Sequence, residues 1–177
     1  MIQSNAASDE LDSPFYQKNE ETCKKWEHFT HQNNGTISGT YNAWSYKLFV
    51  KFEQPNTCKI TVSKATYSSG NLLLSSKYQN RQEHLVFHMK VASKSSFMIK
   101  RASWRELLTQ RQSLQANPYY SIFGKVDKVI LTEIVSILSS LFESKRVNEV
   151  HLKDGILNIK LNDSNGNLDI IHSLIQL

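Results

Sequence analysis

Apolar residues return at every third or fourth position between Asp127 and Lys145, in DKVILTEIVSILSSLFESK, over a longer run than anywhere else in the chain. Ile130, Ile134, Ile137, Leu138 and Leu141, joined by Leu131, Val135 and Phe142, fill one side of a helix of 3.6 residues per turn. Lys128, Thr132, Glu133, Ser136, Ser139, Ser140 and Glu143 fill the other, and only Val129 is on the wrong face. The apolar arc is wider than a coiled-coil seam, so the spacing predicts a helix lying across a sheet or other helices, with Ile134, Leu138 and Leu141 in the core.

Earlier in the chain, Ser13-Pro14 reads as an N-cap followed by proline at the first helical position. Phe15, Asn19, Thr22, Cys23, Trp26, Phe29 and Thr30 then recur at helical spacing as far as Gly35. From Thr36 the period changes to two. Ile37, Tyr41, Trp44, Tyr46, Leu48, Val50 and Phe52 alternate with polar residues around a reversal at Asn42-Ala43, which sets Lys47 and Lys51 toward water. Lys59 to Lys64, Asn71 to Ser75, His84 to Val91 and Ser96 to Arg101 repeat the strand pattern. Ser103 and Glu106 form a capping-box pair that opens a short helix with Trp104, Leu107, Leu108 and Leu114 on one side. The segment Ala116 to Gly124 is too apolar for a free loop and is expected to pack on the body. Val147 to Leu152 and Ile156 to Leu161 form a hairpin about Asp154-Gly155, Asp163 to Asn167 is a turn, and Leu168, Ile171, Leu174 and Ile175 suit a terminal helix. The predicted fold is α+β: an antiparallel meander of about five or six strands with a C-terminal helix–hairpin–helix. Residues 1–12 are expected to be a disordered tail and 13–177 a single domain.

Charge changes this picture more than composition does. Residues 1–30 carry three lysines against six acids, residues 31–125 carry thirteen Lys and Arg against Glu53, Glu83 and Glu106, and residues 126–177 carry five cations against seven acids. The net charge of +5 is therefore an acidic–basic–acidic arrangement whose middle can attract nucleic acid, anionic lipid or an acidic protein. Its densest part, Lys94, Lys100, Arg101, Arg105 and Arg111, is the candidate anion-binding set. Two cysteines, Cys23 and Cys58, do not make a disulfide framework and fit a reducing compartment. No apolar run reaches the length of a membrane span, so a soluble, cytoplasmic protein is expected.

Chemistry-bearing motifs are missing. The six glycines form no phosphate cradle, and neither a nucleophile elbow nor a zinc-protease helix occurs. Cys23, His28 and His31 fall short of the four ligands of a structural zinc site, and a helix directs Cys23 inward, away from the two histidines. Glu83, His84 and His88 form the other cluster; on a strand His84 and His88 share a face with Val86, which reads as buried or rim histidines rather than an acid/base pair. No catalytic residue, metal or cofactor is assigned.

Trp26-x-x-Phe29, then Gly35-Thr-Ile-Ser-Gly-Thr-Tyr41, then a basic meander, a helix and the hairpin Lys153-Asp-Gly-Ile-Leu-Asn-Ile159 resemble an uncharacterised family of bacterial proteins. In that family a W-x-x-F helix precedes a G-x-(I/V)-x-G-x-Y strand, often after membrane-spanning segments. The resemblance covers roughly residues 22–161 and implies no activity; this chain departs from it in having no spanning segment. The sequence reading is a non-catalytic intracellular interaction or ligand-binding module with a protein or acidic partner. The alternative is an electrostatic binder of nucleic acid or an anionic membrane surface through the basic middle, placed second because no stacking residue falls on an exposed face.

Overall fold

The computed structural model describes residues 1–64, 83–103, 113–114, 117–162 and 167–177. The elements run β1 (Ile2–Ser4), a 3-10 turn (Ser8–Glu10), α1 (Pro14–Gln32), β2 (Thr36–Tyr41), β3 (Tyr46–Phe52), β4 (Cys58–Lys64), β5 (Glu83–Lys90), β6 (Ser96–Arg101), β7 (Ser113–Leu114) and β8 (Asn117–Lys125). They continue with α2 (Lys128–Ile137), α3 (Ser139–Glu143), β9 (Val147–Lys153), β10 (Ile156–Leu161) and α4 (Leu168–Ile175). The α+β class holds, but the sheet is larger than the predicted meander and is mixed. Among the described residues ten strands form one sheet in the order β1-β2-β3-β4-β5-β10-β9-β6-β8-β7. Of the described strands only β1 and β2 run parallel.

One local signal was read correctly and placed wrongly. The Asp154-Gly155 hairpin forms as expected, both turn residues having positive φ (51° and 72°), which matches the twist of the flanking strands. It is not an appendage, however: β10 pairs with β5 and β9 with β6, so the hairpin is inserted between strands consecutive in sequence. Residues 91–95 must therefore span three strand spacings, about 14 Å at about 4.8 Å each. They do so across the hairpin tip, where Val91 N–H donates to the Gly155 carbonyl at 2.9 Å. A side chain at Gly155 would meet the Val91 carbonyl at 3.2 Å, so this glycine serves both the turn and the passing loop.

The first twelve residues are not a bare tail, because Ile2–Ser4 adds a parallel strand to β2 and Ser8–Glu10 makes a 3-10 turn. Of the segment Ala116 to Gly124, the described part, from Asn117 on, packs on the body as expected, and does so as strand β8 beside β6. Leu114 belongs to β7, not to a helix, and is buried. The predicted strand 71–75, the helix through Trp104 to Leu108 and residues 163–166 of the predicted turn lie outside the described residues.

Both long helical predictions are realised with instructive ends. The Ser13 side chain caps α1 by accepting from Phe15 N–H at 3.3 Å. The helix closes with Gly35 N–H on the Thr30 carbonyl at 2.8 Å and Asn34, not Gly35, at positive φ (54°). Gly35 is needed for space, since a Cβ there would lie 2.6 Å from the Phe52 ring. The 127–145 helix is bent at Leu138 (φ −92°, ψ 8°), before the serine pair Ser139-Ser140. Leu138 N–H still donates to Ile134 O at 3.0 Å and Phe142 N–H to Leu138 O at 2.9 Å, so one helical path continues through the bend.

The helices among the described residues serve one face of the sheet. α1 lies on β2 and β3, with Trp26, Phe29 and Phe52 meeting edge to face at centroid distances of 5.9 and 6.1 Å. Ile134, Leu138, Leu141 and Phe142 join Ile171, Leu174 and Ile175 of α4 in the same core. Tyr120 is fully buried there, its hydroxyl donating to the Val147 carbonyl at 2.9 Å and its ring 4.8 Å from Phe142.

Candidate binding face

The strands alternate so regularly that the second face of the sheet can be read as rows. One row crosses eight strands as Thr36, Lys51, Lys59, His88, Asn158, His151, Met98 and Phe123. Beside it lies a second, Ser38, Phe49, Thr61, Val86, Lys160, Glu149, Lys100 and Ser121. A shorter third row holds Thr40, Lys47, Ser63 and His84. The alternate positions on β3, β4, β5 and β10 include Leu48, Val50, Ile60, Phe87 and Ile159, all buried under the helices. Antiparallel sheets often leave one face to water. This one is distinguished by its sign: on β3, β4, β5, β9 and β10 its charged positions are lysines and histidines apart from Glu149, which sits 3.3 Å from Lys160.

Phe49 breaks the polar pattern of that face. It lies mid-strand in β3 and is 48% exposed, with Lys47 and Lys51 two residues away on either side and Thr61 and Ser38 across the neighbouring strands. The Lys47 ammonium stands 5.2 Å from the ring centroid. Lys51 is ion-paired with Glu53 at the strand end, and Lys59 faces solvent. Thr36, Ser38, Phe49, Lys51, Lys59 and Thr61, with Ile37, Val50 and Ile60 beneath, line an open concavity of about 420 Å³.

The residues singled out from sequence do not all meet here. Lys100 and Arg101 are consecutive in β6 and so point to opposite faces. Lys100 lies on the open face with its ammonium 4.9 Å from the Phe123 centroid, whereas Arg101 lies on the Tyr120 side and donates to the Lys145 carbonyl. Lys94 is on the 91–95 loop, and Arg105 and Arg111 lie outside the described residues. His84 and His88 do share a face with Val86, but it is the open one. Both are exposed rather than buried, His88 Nδ1 is 2.6 Å from Asn158 Oδ1, and Glu83 points the other way into the core. Trp44, read as core-facing, is half-buried in the β2–β3 turn and stacked on Phe15.

Phe49 escaped the sequence reading although its signal was present: it has the parity of Lys47 and Lys51, so a strict period of two puts it with them. Lys160 and His151 could not have been found that way. They reach this face because β9 and β10 are inserted beside β5, a pairing between residues about seventy apart in sequence.

The reactive groups elsewhere are structural. Burial pushes the Cys23 and Cys58 thiols up to about 12, the carboxylates of Glu27 and Glu20 adding to the effect at Cys23, which keeps both in the unreactive thiol form. His28 and His31 are exposed on α1 while Cys23 is buried, and no group of three or more metal-ligating side chains occurs among the described residues. Beneath the sheet end, buried Lys64 donates to Asn19 Oδ1 at 3.0 Å, and Asn19 Nδ2 donates to the carbonyls of Asn42 (2.9 Å) and Ala43 (3.1 Å). Burial lowers the Lys64 pKa; its cross-strand partner Glu83 acts in the opposite direction, and Lys18 adds to the lowering.

Comparison with family models, curated proteins and solved structures gives no match. No helix among the described residues is long and apolar enough to cross a membrane.

Proposed function

We propose that the protein is a non-catalytic binding module that takes an anionic partner on the open face of its sheet. The observation that carries this reading is the sign of that face, where rows of lysine and histidine from distant parts of the chain meet few acids among the described residues: Glu149, beside Lys160, and Glu53, paired with Lys51 just past the end of β3. Dispersed lysines are ordinarily a solvated surface. Here strand register gathers them, and residues two apart on a strand stand roughly 6.6 Å from one another, close enough for their fields to add over an extended anion. The two buried free cysteines fit a reducing, cytoplasmic setting. Kinship with the uncharacterised bacterial family remains part of this proposal and adds no activity to it.

Polyanion binding at two salt concentrations is the test. Heparin and a mixed-sequence nucleic acid should bind at 50 mM salt and weaken steeply by 200 mM, as counterion release requires. The double variant Lys51→Glu/Lys59→Glu should lose binding, while Lys25→Glu on exposed α1 should not. Equal loss in both variants, or binding that ignores salt, would refute the assignment to this face.

A further inference from the structure

We infer that the partner is a single-stranded nucleic acid, one of whose bases stacks on Phe49 in the concavity between β2, β3 and β4. This rests on the anionic-partner reading above and narrows it to one ligand class. Charge alone does not distinguish a nucleic acid from an anionic membrane or an acidic protein; the aromatic does. Phe49 is the exposed aromatic of β3, half open to solvent in the middle of a strand whose other outward positions are Lys47 and Lys51. An apolar ring costs free energy where a polar side chain would serve the sheet equally well. Sheet surfaces that bind single strands combine these same components, an exposed ring for the base and cations for the backbone.

The surroundings favour a nucleotide over the other polyanions. The ring lies in an open concavity of about 420 Å³ that Thr36, Ser38 and Thr61 supply with hydroxyls able to donate to or accept from a base edge. Lys51 and Lys59 face each other across β3 and β4 on one flank and Lys47 stands on the other, so positive charge brackets the ring along the strand direction. A duplex hides the faces of its bases and would leave Phe49 without a partner. A membrane surface would be met best by a protruding apolar residue, and Phe49 sits in a concavity.

Fluorescence anisotropy at 50 mM salt would test this with labelled twelve-nucleotide oligouridine and oligothymidine, a duplex of equal length, heparin, and phosphatidylserine vesicles followed by sedimentation. The single strands should bind more tightly than the duplex. Phe49→Ala should weaken single-strand binding by at least about five-fold and leave heparin binding unchanged, and Phe49→Trp should retain it. Because Phe49 is exposed, both variants are expected to keep the wild-type thermal midpoint, which is measured alongside. Single-strand binding indifferent to Phe49→Ala, or a preference for duplex or vesicles, would overturn the stacking inference while leaving a lysine-dependent anionic face standing. Absence of binding to every polyanion at 50 mM salt would overturn both.

Discussion

A thiol in an apolar core ionises later than one in water, and the difference is a pH dependence of stability. Cys23 and Cys58 are buried with pKa values raised from 9.0 to about 12. Below pH 9 folded and unfolded chains both carry the thiol proton, and the full contribution is present. Above it the unfolded chain ionises while the folded one does not, so stability falls as pH rises toward 12. Each thiol can contribute up to about 1.4 kcal/mol per pH unit in that window. Tyr41 and Tyr120, also raised chiefly by burial, act in the same sense above pH 10, whereas Lys64, lowered from 10.5 by burial, opposes them just below that value. Denaturant unfolding between pH 8 and pH 11 should therefore show a steep alkaline decline that Cys23→Ala/Cys58→Ala makes shallower. An unchanged slope in the double variant would show that thiol burial is not its source.

At the scale of elements, a polar link closes the end of the core that α1 covers. Asn19 ties α1 to the β2–β3 turn and to Lys64, and Lys64 stands opposite Glu83 where β4 and β5 pair. Both charged residues are about 4% exposed, so each depends on the other's charge. Glu83→Ala would leave the Lys64 ammonium buried without its acid and should cost about 3–5 kcal/mol. Replacing both, as Lys64→Met/Glu83→Leu, should restore most of that loss. Chemical denaturation of the single and double variants measures the coupling; additive losses would mean that the two side chains do not act together.

Across the whole molecule, the sheet has its weakest pairing at its ends and its strongest in the middle. β1 and β7 are strands of three and two residues with one neighbour each among the described residues, whereas β5, β10 and β9 are paired on both sides and buried on one face. Opening is expected to begin at the edges, because local stability follows buried contact and protected hydrogen bonds. Hydrogen exchange followed by mass spectrometry should find amides of β5, β9 and β10 the slowest and those of β1 among the fastest. Protection of Ile2–Ser4 equal to that of Ile156–Leu161 would contradict this order.

The sequence by itself determined whatever depends on neighbours within a few residues. Ser13-Pro14 set the start of α1, alternation set the two faces of β3 and β5, Asp154-Gly155 set the hairpin, and spacing buried Ile134, Leu138 and Leu141. Those signals are local because dihedral preference and periodicity are properties of short segments. The tertiary structure alone decided which strand lies beside which, and with it the sheet's width and the composition of its open face. Nothing near β5 states that its neighbour is β10 rather than β6; that choice is made by the fit of distant apolar faces when the sheet closes. Face parity could place Phe49 among lysines, but whether that face would be covered or open depended on where α1, α2, α3 and α4 came to rest. They all lie on the other side, because the larger apolar residues of β3, β4, β5 and β10 point that way and burying them there removes the most apolar surface from water.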